Sequence, residues 1–323
     1  MTAAAPLLIV RGLHTRFATE GGIIRAVDGV DLEVWPGECL GVVGESGSGK
    51  SVTFLSVLGL VRPPGVVEAE SINFAGRELR NLSQAALRQM RGRDIALTLQ
   101  DALTALNPAL TIGTQIIETL AAHEAELPTG ARWQRAEELL RLVGIPDAAR
   151  RLRAYPHEFS GGMRQRAMIA IALACRPKLL IADEPTTALD VTVQAQVLEL
   201  LADLRARVGM SLVLITHDLG VVAEYCDRVA VMYAGQVVET GRVRQVISDP
   251  RHPYTAGLLA SLPRLDEPDA ALRPIPGQVP NQIGIPTGCR FAARCGLRAE
   301  PCAQTQHMRP IGADRSVRCV RAA

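Results

Sequence analysis

The sequence predicts an α/β fold, a parallel sheet with helices on its faces, and three observations predict it. Short apolar runs alternate with helix-like stretches along most of the 323 residues, which is the pattern of a parallel sheet covered on both sides. Three of those runs, in ECLGVVG, KLLIADEP and SLVLITHD, stop at glycine or polar residues, and functional groups collect at such strand ends. Beyond about residue 250 the texture changes, with prolines at 250, 253, 263, 268, 274, 276, 280, 286, 301 and 310. That stretch reads as a loop-rich appendix that needs a staple.

In chain order, LLIVRGL and AVDGVDLEVW read as strands, and after the Pro36-Gly37 turn ECLGVVG is a third that runs into a glycine-rich loop. KSVTFLSVLGL follows directly as a helix, then the strand pair in VEAESINFAG and the strand DIALTLQ. TIGTQIIETLAAHEAEL and ARWQRAEELLRLVG have helical periodicity and read as a helical insertion over about 101–165. A helix GMRQRAMIAIALAC then leads to the strand KLLIADEP, the helix VTVQAQVLELLADLRARVG, the strand SLVLITHD and the hairpin RVAVMYAGQVVETG.

Composition narrows the function. Hydrophobic residues make up 48% and charged residues 21%, so the chain can bury a large core, and a formal net charge of only +2 argues against a nucleic-acid partner. No apolar run approaches the roughly 18 residues that cross a bilayer. MTAAAPLLIVRG lacks the positive start and long apolar stretch of a signal peptide. A cytoplasmic protein is expected.

The chemistry-bearing motifs sit at the strand ends. GESGSGKS comprises Gly44, Glu45, Ser46, Gly47, Ser48, Gly49, Lys50 and Ser51, with Val52 next, and fits G-x-x-x-x-G-K-[ST] between a strand and a helix. Backbone N–H groups at the helix start can wrap a triphosphate, Lys50 can reach its β- and γ-phosphates, and Ser51 can bind Mg²⁺. Lys50 is one of only two lysines among 35 basic residues. Asp183 and Glu184 follow an apolar strand, where the first would hold Mg²⁺ through its shell and the second would orient or deprotonate an attacking water. His217 ends SLVLITHD and Gln100 ends DIALTLQ, each ambiguous alone. In FSGGMRQR, Ser160, Gly161, Gly162 and Met163 open a helix and offer a second phosphate-binding N-terminus. One chain has no use for two such grips on one nucleotide.

GESGSGKS, Gln100, FSGGM, LLIADE, TALD and His217, in that order, resemble the ATP-binding cassette (ABC) ATPases over about residues 7–250. The resemblance implies a RecA-like parallel-sheet core with an N-terminal antiparallel β subdomain and a helical signature subdomain. Two cassettes then pack head to tail, so that Ser160, Gly161, Gly162 and Met163 meet ATP held by the partner's phosphate loop, with Asp190 of TALD at the dimer interface. Phe17 would stack on adenine, Gln100 would couple the γ-phosphate and Mg²⁺ to membrane subunits, and His217 would contact the γ-phosphate. Ser51, Gln100 and Asp183 would serve Mg²⁺. The signature reads FSGGM rather than LSGGQ, Val52 replaces a common Thr, and TLQDALTALNP is looser than the FQDP form. None of these removes a group assigned to chemistry.

FSGGMRQR, GESGSGKSV, HPYTAGLLASLP and IPGQVP together resemble the oligopeptide/dipeptide importer ATPases, a subfamily that includes nickel importers. In that subfamily a pair of related ATPase chains drives two permease subunits fed by an extracytoplasmic peptide-binding protein, at the cytoplasmic face of the inner or plasma membrane. Import of nickel or another small solute, and a soluble ABC ATPase outside transport, are the alternatives.

Four of the seven cysteines, Cys289, Cys295, Cys302 and Cys319, lie in the tail at spacing C-x5-C-x6-C-x16-C. Residues 251–323 would be a loop-rich Cys-containing C-terminal extension that a four-thiolate site stabilises. Zinc prefers tighter pairs, and the long gaps fit an iron–sulfur cluster at least as well. Free thiols are the third reading, and the subfamily resemblance points to a [4Fe-4S] cluster. Cys39, Cys175 and Cys226 lie singly in apolar segments and read as small buried hydrophobes.

Overall fold

Alternation of buried and less buried side chains opens the chain. LIVRGLHTRFAT and GIIRAVDGVDLEV form β1 (Leu8–Thr19) and β2 (Gly22–Val34), an antiparallel pair running from Leu8 opposite Val34 to Thr19 opposite Gly22. Both run longer than their apolar runs suggest, because each strand supplies the other's backbone partners. The computed structural model describes residues 5–187, 189–262, 274–280, 283–284 and 287–322. Ala188 of TALD and the prolines at 263, 268 and 286 lie outside the described residues. The chain divides into two compact units, Met1–Asn81 with Ile215–Ala323 and Leu82–Leu214.

The first unit continues with β3 (Cys39–Val43), all five residues buried, and α1 (Lys50–Val57). Burial on both faces is what a continuous apolar run without alternation produces. β4 (Gly65–Glu68), β5 (Ser71–Phe74) and β6 (Arg77–Glu78) complete a sheet of order β2-β1-β5-β6, with β4 also paired to β1. Thr15 of β1 and Ser56 of α1, both buried, join their hydroxyls at 2.7 Å, which fixes the helix against this sheet.

The second unit holds α2 (Gln84–Met90), β7 (Ile95–Thr98), α3 (Ala102–Ala105), α4 (Ile112–His123), α5 (Thr129–Leu142), α6 (Ala148–Arg151), α7 (Gly161–Ala172), β8 (Leu179–Asp183) and α8 (Val191–Val208). The boundary with the first unit falls inside β9 (Ser211–Thr216). β9, β8 and β7 lie side by side, β7 and β8 parallel with Ile95 opposite Leu179. Side-chain caps start the helices where the sequence has hydroxyl or acid residues: Thr111 for α4 and Asp190 for α8. α4, α5 and α7 pack on one another and bury Ile116, Leu120, Leu139, Leu140 and Ile169.

Returning to the first unit, α9 (Leu219–Tyr225) precedes the hairpin of β10 (Arg228–Tyr233) and β11 (Gln236–Arg242). Its two turn residues, Ala234 at φ 45° and Gly235 at φ 83°, have the doubly positive φ of a type I′ turn. α10 (Val243–Ser248) and α11 (Pro253–Ala260) follow, then β12 (Arg309–Gly312) and β13 (Arg315–Val317). The strand order within this unit is β12-β13-β11-β10-β3, with β10 parallel to β3. The tail strands were not legible in the sequence, since three or four residues are too few to display a period. The tail builds little core alone. It lends Tyr254 and Phe291 to a cluster with Val43, Val231 and Tyr233, each buried apolar side chain contributing about 1.5–3 kcal/mol. Among the described residues no helix is long and apolar enough to cross a membrane.

Candidate functional site

In the first unit β3 delivers the chain into Gly44–Ser51 and α1 begins at Lys50. A Cβ on Gly44 would stand 2.1 Å from the Met232 carbonyl oxygen, and Gly49, at φ +98°, leaves only 2.3 Å to that of Ala26. Only glycine lets the loop pass so close to neighbouring backbone. The turn of the β10–β11 hairpin supports it from behind: Gly235 donates its N–H to the Ser48 carbonyl at 2.9 Å, and Asp28 donates to the Gly235 carbonyl at 2.8 Å. Thr53 anchors the start of α1 by donating both its N–H and its hydroxyl to the Gly49 carbonyl, at 2.9 and 2.8 Å.

Lys50 is buried, and its ammonium donates to the carbonyls of Gly44 at 2.7 Å and Glu45 at 3.1 Å. The loop thus curls round its own cation, the shape of an anion cradle at a helix N-terminus. Ser46 and Gly47 are exposed, and Ser51 and Val52 are half-buried on α1. Phe17 is half-buried on β1 opposite Ile24, with its ring edge against Gly65. His217 is exposed immediately after β9, and Asp218 beyond it caps α9.

In the second unit Asp183 ends β8 and is buried, while Glu184 follows at φ 43°, a left-handed backbone that side chains other than glycine rarely adopt. Such an outlier persists where its surroundings over-determine it. Here Gln100 Nε2 at 2.9 Å and Thr187 Oγ1 at 3.0 Å both donate to Glu184 Oε2. The structure therefore brings Gln100 and Glu184 together, and that contact orients a carboxylate at a strand end. Ser160 caps α7 through Met163 N–H, Gly161 is exposed, and Gly162 fits under Val193, whose Cγ1 would lie 2.6 Å from an added Cβ. Asp190 Oδ1 accepts from Val193 N–H at 2.9 Å, so the residue read as an interface group also starts α8.

Cys289, Cys295, Cys302 and Cys319 line one pocket in the first unit, together with His252 and Phe291. Burial pushes the Cys289 and Cys295 thiols up, an effect that a bound cation would reverse. Among the described residues no group of three or more His, Cys, Asp or Glu side chains is arranged to hold a metal ion. A [4Fe-4S] cluster takes one thiolate on each of its irons, whereas a structural zinc gathers four donors on one ion. The four thiols share one pocket but are gathered in neither way among the described residues. Cys39 and Cys226, read as single residues in the sequence, stand with their sulfurs 3.4 Å apart.

Sequence reasoning missed the tail residues that reach the Gly44–Ser51 loop. Arg294 forms two parallel hydrogen bonds to the Glu45 carboxylate, Tyr254 Oη accepts from Glu45 N–H at 2.9 Å, and Arg290 pairs with Asp28 and the Ala234 carbonyl. The only signal available was arginine beside cysteine, which carries no address for a partner 249 residues away.

Residues 27–187 match the ABC transporter family model, and residues 238–302 match that of the oligopeptide/dipeptide transporter C-terminal region. The chain is 51% identical over 314 residues to the dipeptide transport ATP-binding protein DppD of Haemophilus influenzae, covering 97% of this chain and 94% of that protein. The DppD of Bacillus subtilis is 50% identical over 297 residues, with coverage of 92% and 88%. A putative peptide import ATP-binding protein of Brucella abortus is 52% identical over 315 residues, with coverage of 98% and 95%. Among solved structures, a dimeric ATP-binding cassette in a post-hydrolysis state with ADP and Pi is similar at TM-score 0.65 and 27% identity, over 73% of this chain and 99% of that chain.

Proposed function

The chain belongs to the family of ABC transporter ATP-binding proteins, and from that premise we propose that it is the ATP-hydrolysing subunit of an importer for dipeptides and oligopeptides. One observation carries this reading: a glycine-built phosphate loop and an oligopeptide/dipeptide transporter C-terminal region occur in one chain. Residues 7–250 are the nucleotide-binding cassette, about 101–165 its helical portion, and 251–323 the extension.

The residue roles follow from their chemistry. Lys50 takes the β- and γ-phosphates as a compact ammonium, which a planar guanidinium would not replace. Ser51, Gln100 and Asp183 supply oxygens for Mg²⁺, which when bound neutralises phosphate charge. Glu184 orients the attacking water and accepts its proton, with its carboxylate held by Gln100 and Thr187. Phe17 stacks on adenine and His217 contacts the γ-phosphate. The Ser160–Met163 turn serves the ATP of a partner cassette, with Asp190 at that interface. ATP binding closes the cassette pair and hydrolysis reopens it. The partners are a second, related ABC ATPase chain, two permease subunits and an extracytoplasmic peptide-binding protein, and the chain works at the cytoplasmic face of the membrane.

Cys289, Cys295, Cys302 and Cys319 hold a [4Fe-4S] cluster whose role is to staple the tail, a reading supported by the four thiols lining one pocket. Iron and sulfide analysis of anaerobically purified protein tests it, and one zinc with no iron overturns it.

Co-purification tests the transport reading. Recovery with permease subunits and ATP-dependent uptake of labelled peptides by the whole complex support it. Recovery with nucleic acid and no membrane subunit overturns it, and uptake of nickel instead of peptide moves the substrate to the small-solute class.

A further inference from the structure

We infer that Arg294 is a positioning residue for the phosphate loop, and that through it the cysteine-bearing loop and nucleotide binding are coupled. The starting point is Glu45, the second residue of the phosphate loop. Its carbonyl accepts from the Lys50 ammonium at 3.1 Å and from Ser48 N–H at 3.2 Å, and its N–H donates to Tyr254 Oη. Displacing Glu45 therefore displaces the cation that grips phosphate.

The Glu45 carboxylate is held by Arg294, whose Nη1 and Nη2 donate to its two oxygens at 2.7 and 3.0 Å. A two-bond fork fixes direction as well as distance. Nε donates to the Pro276 carbonyl at 2.8 Å, Nη2 also to that of Ile275 at 3.2 Å, and Nη1 also to Tyr233 Oη at 3.4 Å. All five N–H groups of the guanidinium are thus engaged. The side chain is 5% exposed and lies against the Tyr233 and Phe291 rings, 5.8 and 5.9 Å from their centroids. It has no room to adapt.

The backbone around Arg294 is tied to the backbone of the cysteine-bearing loop. Arg294 N–H donates to the Phe291 carbonyl, Ala292 N–H to that of Cys289, and Cys289 N–H to that of Cys302. A change in how residues 289–302 are held shifts the fork, then Glu45, then Lys50. Coupling between two sites is reciprocal, so nucleotide binding also steadies this loop.

This rests on Gly44–Ser51 being the phosphate-binding loop, which Lys50→Ala tests separately by abolishing ADP binding. In the full chain Arg294→Gln is expected to raise the Kd for ADP and the KM for ATP roughly tenfold or more, with kcat at saturating ATP within about twofold. Arg294→Lys keeps a charge without the fork and should fall between. Glu45→Gln leaves the tail arginine in place and should match Arg294→Gln, and the double variant should bind no more weakly than the weaker single. In the wild-type chain, hydrogen exchange across residues 289–295 should slow when ADP binds. If Lys50→Ala loses ADP while Arg294→Gln and Glu45→Gln bind it normally, the coupling is wrong. Additive losses in the double variant, or hydrogen exchange indifferent to ADP, overturn it as well. If Lys50→Ala binds ADP normally, the phosphate-loop reading itself fails.

Discussion

Replacing Tyr254 by phenylalanine deletes one oxygen and leaves the ring. Tyr254 is fully buried, and its ring packs against Tyr233 and Phe291 at centroid distances of 4.6 and 5.4 Å. Those contacts survive in the variant. What disappears is the acceptor for the Glu45 N–H at 2.9 Å. Losing an average intramolecular hydrogen bond costs about 1 kcal/mol, and stranding a buried donor costs about 1–3 kcal/mol. The donor here is the part-buried Glu45 N–H, so the expected loss is about 1–3 kcal/mol. That corresponds to roughly a five- to 150-fold change in the equilibrium it affects. Urea unfolding of wild type, Tyr254→Phe and Tyr254→Leu measures it. The phenylalanine variant should unfold at lower urea with an unchanged slope, and leucine, which also loses the ring contacts, at lower urea still. A phenylalanine variant within about 0.5 kcal/mol of wild type would refute the reasoning, because a solvated surface group behaves so.

Glu184→Gln should keep nucleotide bound and slow hydrolysis by roughly 10²–10⁴-fold, the usual contribution of a general base; a wild-type rate in an ATPase assay removes Glu184 from that role. Gly44→Ala places a methyl 2.1 Å from the Met232 carbonyl oxygen and should cost more than about 3 kcal/mol or prevent folding, read as lost soluble yield and a lowered Tm. Asp190→Ala deletes the cap on Val193 N–H and should cost about 1 kcal/mol, while Asp190→Ser keeps an acceptor and should lose little, as thermal unfolding will report.

Features that depend on adjacent residues are legible without the fold. A phosphate-binding loop needs a strand, a glycine-rich turn and a helix in unbroken order, so Gly44–Ser51 is legible from sequence as a candidate site. The same held for Asp183 and Glu184, since an apolar run that ends in acids names its own strand end. The Ser160 cap is local too, since a hydroxyl and two glycines open that helix. Tertiary structure alone decided what distant segments do to those sites. It brought Gln100 to Glu184, Arg290 to Asp28, and Arg294 to Glu45 across 249 residues of chain. It also placed β13 against β11, a pairing of Glu239 with Val317 and Thr240 with Ser316. Long-range partners leave no periodic trace, because their geometry is set by how segments pack and not by spacing along the chain. The tail therefore looked in sequence like a knot of cysteines. Folding turns it into a brace behind the Gly44–Ser51 loop, because Arg294 and Tyr254 reach Glu45 from the aromatic cluster of Tyr233, Tyr254 and Phe291.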